Sequence, residues 1–241
     1  MQGLTSEAAR QYCAAMSTPK ISVAAVAPLA LNDHAFSAKC DLPYGLRVAH
    51  IRSAMEEFLR FLELINGSLV SKEIVPLESF LMPANFSSIV GEFMAAAIPR
   101  YCSTLTKNRY HNGHPDLIPV GVYAGDASLH ADEGVEIKAS RHLSGWQGHN
   151  AEDVWLMVFV FDSSAPRDAT KCAPFRPFRF VKVVGAKITK SDWNFSGRSA
   201  TSRRTITATI THSGFEKMEA NWIYRTDVST IPEKSPEKQR L

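Results

Sequence analysis

The chain has 241 residues, a net charge of +3, and 45% hydrophobic against 21% charged residues. That is the balance of an ordinary globular protein, long enough for one large α/β core or a core with a small subdomain. No apolar run approaches the eighteen residues of a membrane-spanning helix. The mild positive charge does not demand nucleic acid as a partner; it permits one if basic residues gather on one face while acids gather at a metal site.

Met1 to Arg10 has no basic leader segment, which predicts no secretory signal. Cys13, Cys40, Cys102 and Cys172 are widely spaced without a C-x-x-C pair, which fits a reduced cytoplasmic setting and not a structural zinc. Residues 5–16 read as a short helix capped by Thr5 or Ser6. Residues 17–43 read as irregular, with the apolar stretch Ile21–Leu31, broken by Pro28, as a buried segment. From Tyr44 to Ile65 the apolar positions Val48, Ile51, Met55, Phe58, Leu59, Leu62 and Ile65 recur at three and four, predicting an amphipathic helix stopped by Asn66-Gly67. It packs on the core or serves a dimer interface. Ser87 or Ser88 is expected to cap a second helix to about Pro99, with Ile89, Val90, Phe93, Met94 and Ala97 inward and Glu92 alone among uncharged residues.

Lys107 to His114 is polar and basic, including Arg109, Tyr110 and His111. Such a loop suits a DNA backbone, or is a plain polar connector. It leads to Pro115-Asp116 and an apolar run from Leu117 to Tyr123. After a polar excursion, Gly134-Val135-Glu136-Ile137-Lys138-Ala139-Ser140-Arg141 alternates as a half-buried strand does. Glu136 and Lys138 share a face, roughly 6.5–7 Å apart along the strand, and Val135 and Ile137 point to the core. If the two runs pair in one sheet, Asp116, Glu136 and Lys138 meet at one edge. Two carboxylates and an ammonium converging there make a divalent-cation site with a cationic neighbour. The bland reading is an exposed edge with a Glu136–Lys138 ion pair and a Pro115-Asp116 turn.

Residues 139–150 follow with glycines and with Ser140, Arg141, His142, Ser144, Gln147 and His149, types that read base edges or hold phosphates. Val154 to Phe161 is a continuous apolar run, as a strand covered on both faces shows. Residues 163–177 read as a connector, and Phe178–Val184 as a strand with Arg179 and Lys182 at its exposed side. Arg198, Arg203 and Arg204, interleaved with hydroxyl residues, suit phosphate contacts or a solvated loop. Thr205–Thr211 reads as a strand, Ser213 as the cap of a helix to about Ala220, and Trp222–Tyr224 as a closing strand. The tail 229–241 reads as disordered. The expected architecture is α/β, a central mixed β-sheet flanked by helices. It forms one domain over 1–228, with a helical part in 1–105 and a catalytic sheet in 114–225.

Pro115, Asp116, Glu136 and Lys138, with twenty positions between the acids, resemble the motif of the PD-(D/E)XK nuclease superfamily, and type II restriction endonucleases in particular. The resemblance implies a restriction-endonuclease-like core and Mg2+-dependent hydrolysis of double-stranded DNA to 5′-phosphate and 3′-hydroxyl ends. It implies that Asp116, Glu136 and the Ile137 carbonyl hold magnesium while Lys138 stabilises the transition state. It also implies that an upstream helix supplies one more acid, Glu92 or else Glu78. A homodimer, a prokaryotic cytoplasmic setting and a cognate DNA methyltransferase as genetic partner follow from the same likeness. Three rival readings remain: a histidine–metal nuclease built on His111, Asn112, His114, His142 and His149-Asn150, a repair or recombination endonuclease, and a DNA-binding module of nuclease ancestry that no longer cuts.

Overall fold

The computed structural model describes residues 22–148, 150–170, 173–196 and 207–226. The expectations for the helix over 5–16, for Cys13, Cys172 and His149, for Arg198, Arg203 and Arg204, and for the tail from Ser229 lie outside the described residues.

Three helices come first in the described chain: α1 (Val48–Ser71), the short α2 (Leu77–Phe80) and α3 (Pro83–Tyr101). Strands β1 (Leu105–Lys107), β2 (Leu117–Pro119), β3 (Val135–Ser140), β4 (Gln147–Gly148) and β5 (Val154–Asp162) follow. Then come α4 (Pro166–Thr170), β6 (Arg179–Ile188), β7 (Trp193–Ser196), β8 (Thr207–Ile210), α5 (His212–Ala220) and β9 (Trp222–Arg225). The main sheet is ordered β1-β2-β3-β5-β6-β9, and a small sheet is ordered β4-β8-β7. Among the described strand pairings of the main sheet β3–β5 alone is parallel, so that sheet is mixed and mostly antiparallel, with helices packed on it.

Period-two alternation along β5 explains the apolar run. Trp155, Met157, Phe159 and Phe161 face one core, with Ile51, Phe58 and Leu62 of α1 and Phe86, Val90 and Met94 of α3. Val154, Leu156, Val158 and Val160 face a second core with Val181 and Val184 of β6, Trp193, Ile210 and Met218. Every residue of β5 is buried, as a strand covered on both faces requires. Burying each large apolar side chain here contributes about 1.5–3 kcal/mol.

Several boundaries differ from expectation. Helix α1 runs through Asn66-Gly67 instead of stopping there. Asn66 is fully buried: its amide donates to Glu78 Oε2 at 2.9 Å, and its Oδ1 accepts from the N–H of Leu77 at 2.9 Å. Tertiary hydrogen bonds thus override a local stop signal. Helix α3 begins at Pro83, whose missing N–H is harmless in a first turn, so Ser87 and Ser88 lie inside the helix. Over residues 23–26 a 3-10 turn buries only Val26, so the described part of the apolar stretch, 22–31, is not the buried segment expected. Strand β2 ends at Pro119, and Val120 and Val122 are exposed. Thr211, not Ser213, caps α5, accepting from the N–H of Gly214 at 3.2 Å. Lys182 is buried rather than at an exposed side. It is paired with Glu219 and lies 5.5 Å from the ring centres of Trp146 and Phe215, so its stem packs while its charge is met. Arg179 is half-buried, 3.7 Å from Asp162.

Candidate active site

Strands β2 and β3 meet antiparallel at one pair, Leu117 opposite Val135. One step further along the two chains, Asp116 stands opposite Glu136. The crossing is close because Gly134 has φ of 144° and its missing Cβ would strike the Leu117 carbonyl and the Pro115 ring. Any L-residue there would force the strands apart. Beyond that single pair β2 leaves β3, and β3 opens onto a cleft of about 1010 Å³. Asp116, Glu136, Ile137 and Lys138 line it, with α3 on one side, the 107–114 loop above, and Asn150, Glu152 and Trp193 opposite.

The expected triad therefore comes together. The N–H of Asp116 donates to Glu136 Oε2 at 3.3 Å, and the N–H of Ile137 donates to Asp116 Oδ2 at 2.8 Å. Lys138 Nζ donates to Glu136 Oε1, as the i, i+2 spacing on one strand face predicts. Val135 and Ile137 lie in the core on the opposite face. His114 adds a partner: its Nδ1 is 3.1 Å from Glu136 Oε2, and its Nε2 is 2.8 Å from Glu152 Oε2.

This crowding sets the electrostatics. Burial and the Glu136 charge push Asp116 up to about 7, against the pull of Lys138 and the Ile137 N–H. Burial also works on Glu136, but the hydrogen bond from His114 and the Lys138 charge outweigh it and hold that acid down at about 2. Desolvation opposes the charged forms of Lys138 and His114, yet the Glu136 carboxylate raises both. Two buried carboxyls this close titrate as a pair.

Among the described residues, no three His, Cys, Asp or Glu side chains form a ready-made metal cage. Magnesium does not need one, since it takes one or two carboxylates and keeps several waters. The residues fit it on one observation: Asp116 is pushed toward protonation by burial and by its neighbouring carboxylate, and a hard divalent cation between the two acids relieves the repulsion. Asp116 and Glu136 would hold the ion. Ile137 lines the cleft beside them.

The other expected residues divide. Glu92 lines the same cleft from α3, but its exposed carboxylate pairs with Lys107 at 2.7 Å and is not in contact with the two acids. Glu78 is buried under Asn66, away from the cleft, which removes it as a candidate metal ligand. Arg109 is exposed at the cleft, as a backbone contact requires. His114 lines the cleft and is held between Glu136 and Glu152, so its ring contacts the acid cluster. Arg141 is taken up internally: its guanidinium donates to Ser163 Oγ at 2.9 Å, to the Ser164 carbonyl at 3.0 Å and to the Ser163 carbonyl. Burial pushes the Arg141 guanidinium down from its ordinary value. Ser140 Oγ accepts from the N–H of His142, a local turn contact, and His142, Ser144 and Gln147 are exposed.

Sequence reasoning missed Glu152, Trp193 and Asn108. The Asn108 side chain binds Pro115, Ser128 and Tyr110 backbone groups at 2.8–3.1 Å and so shapes the loop that leads to Asp116. Its only signal was an asparagine in a polar connector. Comparison with protein families, curated proteins and solved structures finds no match to this chain.

Proposed function

We propose that this protein is a Mg2+-dependent endonuclease hydrolysing phosphodiester bonds of double-stranded DNA, and specifically a sequence-specific type II restriction enzyme acting as a homodimer. The observation that carries the reading is the convergence of Asp116, Glu136 and Lys138 at the open edge of β3, in one cleft. A plain exposed strand edge does not bury two acids together, lift one toward neutrality and floor a large polar cleft with them.

Asp116 and Glu136 would hold magnesium, and the ion would supply positive charge against the phosphate oxygens and lower the pKa of a bound water. The protein's own groups do the rest. The Ile137 N–H fixes the Asp116 carboxylate, and the Asp116 N–H and His114 fix Glu136. Lys138, tethered by Glu136, keeps its ammonium at the reacting phosphate and stabilises the charge that builds there. Arg109 and the polar loop over the cleft suit the DNA backbone. The restriction assignment, the homodimer and the paired methyltransferase rest on the family resemblance, since palindromic sites suit two-fold proteins.

Incubation of the purified protein with phage genomic DNA, followed by end sequencing, tests the reading. Discrete fragments with 5′-phosphate ends in magnesium, and none with EDTA, are expected. Cutting only at branched or damaged DNA would point to a repair enzyme instead. DNA binding without cleavage in magnesium or manganese would overturn the enzyme reading.

A further inference from the structure

We propose that His114 and Glu152 form a positioning relay that sets the Glu136 carboxylate for the cation, a role that rests on the metal site proposed above. Glu152 lies on the loop entering β5, far in sequence from the acidic motif, yet it faces the same cleft. It is built into place by three contacts. Its backbone carbonyl accepts from Trp193 Nε1 at 2.9 Å and its Oε1 accepts from the Asn150 amide at 3.2 Å, while its Oε2 lies 2.8 Å from His114 Nε2 as an ion-pair contact, the buried ring nitrogen itself making no hydrogen bond.

His114 is pinned as firmly. Its N–H donates to the Leu129 carbonyl at 3.0 Å, and its own carbonyl accepts from the N–H of Ala131 at 2.8 Å. These bonds fix the main chain at residue 114 and so place the ring between the two acids, with its Nδ1 3.1 Å from Glu136 Oε2. The chain Trp193–Glu152–His114–Glu136 runs from the small sheet to the edge of β3. It clamps the one oxygen of Glu136 that Lys138 does not hold. Neither residue touches Asp116 in a hydrogen bond among those described, so the relay acts through Glu136. Groups of this kind around a metal ligand fix its orientation, and their loss typically weakens metal binding 10- to 100-fold.

Calorimetric titration of the full chain with manganese and with calcium, in the absence of DNA, tests the relay without relying on cleavage. Glu152→Gln and His114→Ala are each expected to weaken cation binding about 10-fold or more, with melting temperatures close to the parent. His114→Asn, which keeps a donor near the place of Nδ1, is expected to recover most of the loss. The deciding comparison is the double variant: once His114 is alanine, Glu152→Gln should cost nothing further. An equal loss in both backgrounds means that Glu152 acts only as a nearby charge, and overturns the relay. Unchanged affinity in Glu152→Gln overturns it too, and that variant decides the matter if His114→Ala fails to fold. Asp116→Asn separates this from the larger reading. If it leaves cation binding intact, the metal site itself is wrong; if it abolishes binding while the relay variants bind normally, only the relay fails.

Discussion

Asp116 and Glu136 hold each other through the backbone: the Asp116 N–H donates to Glu136 Oε2 at 3.3 Å, and the Ile137 N–H donates to Asp116 Oδ2 at 2.8 Å. An asparagine at 116 keeps an acceptor for the Ile137 N–H and removes only the charge. Asp116→Asn is therefore expected to fold normally and to lose at least about 10³-fold in DNA cleavage, a loss of about 4 kcal/mol of transition-state stabilisation. Lys138→Met should lose a similar factor, because it removes the ammonium that the proposed function sets against the phosphate. Cleavage assays beside circular dichroism check both, and an active Asp116→Asn enzyme would remove the acid from the chemistry.

The same pair makes the cation-free protein sensitive to pH in two opposite windows. Asp116 is lifted from 3.8 to about 7, so the stability it confers as a neutral acid is present below 3.8 and lost as pH rises through 7. Glu136 is lowered from 4.5 to about 2, so its contribution is present above 4.5 and lost as pH falls through 2. In EDTA, Asp116→Asn should therefore stabilise the protein by on the order of 2–4 kcal/mol at pH 8 and by less than about 1 kcal/mol at pH 4. Urea denaturation at the two pH values measures the difference. Magnesium at pH 8 should stabilise the parent by mass action, about 2.7 kcal/mol at one hundred times its Kd, and should leave the variant unmoved.

The sequence carries local period and chemistry, and it was informative where those decide the outcome. The alternation around Glu136 and Lys138 announced a strand with its two charged residues on one face, and the apolar run of β5 announced a strand covered on both sides. What was illegible depends on partners distant in the chain. Asn66-Gly67 reads as a stop until Glu78 and the Leu77 N–H are seen to satisfy Asn66 inside the helix. Lys182 reads as exposed until Glu219 and two aromatic rings are seen to receive it. Glu152 gave no signal at all, since an acid in a polar loop is ordinary and its meaning comes from His114, which is 38 positions away.

Arg141 and Arg109 separate two meanings of an arginine near the site. Arg141 is bonded to the Ser163 and Ser164 segment and lies 5.7 Å from the ring centre of Phe161. Arg141→Ala should cost about 2–4 kcal/mol of stability, by orphaning buried carbonyls and removing packing, and should leave the salt dependence of DNA binding unchanged. Arg109→Ala, at an exposed place on the cleft, should do the reverse. It is expected to leave stability within about 0.5 kcal/mol, weaken binding across sequences alike, and lower the salt slope by about 1. Fluorescence anisotropy at several salt concentrations, with thermal melts alongside, distinguishes the two.

Asn66 and Glu78 are predicted to respond in opposite senses. Asn66 is the donor to Glu78 Oε2 and the acceptor for the Leu77 N–H, so Asn66→Ala strands two buried groups at once. A loss of about 2–4 kcal/mol is expected. Glu78 is the reverse case. Its Oε1 has no hydrogen-bond partner, and burial raises its pKa above the ordinary carboxylate value, which the Asn66 amide only partly opposes. The charged form is thus the strained one, and the stability this residue confers as a neutral acid falls as pH rises through its raised folded pKa. Glu78→Gln keeps an acceptor for Asn66 and removes the charge, so it should be neutral or stabilising at pH 8 while losing that advantage at pH 4. Urea melts of the two variants at both pH values provide the check. A destabilised Glu78→Gln at pH 8 would mean that the buried carboxylate is compensated by a charge that the Asn66 contact does not provide.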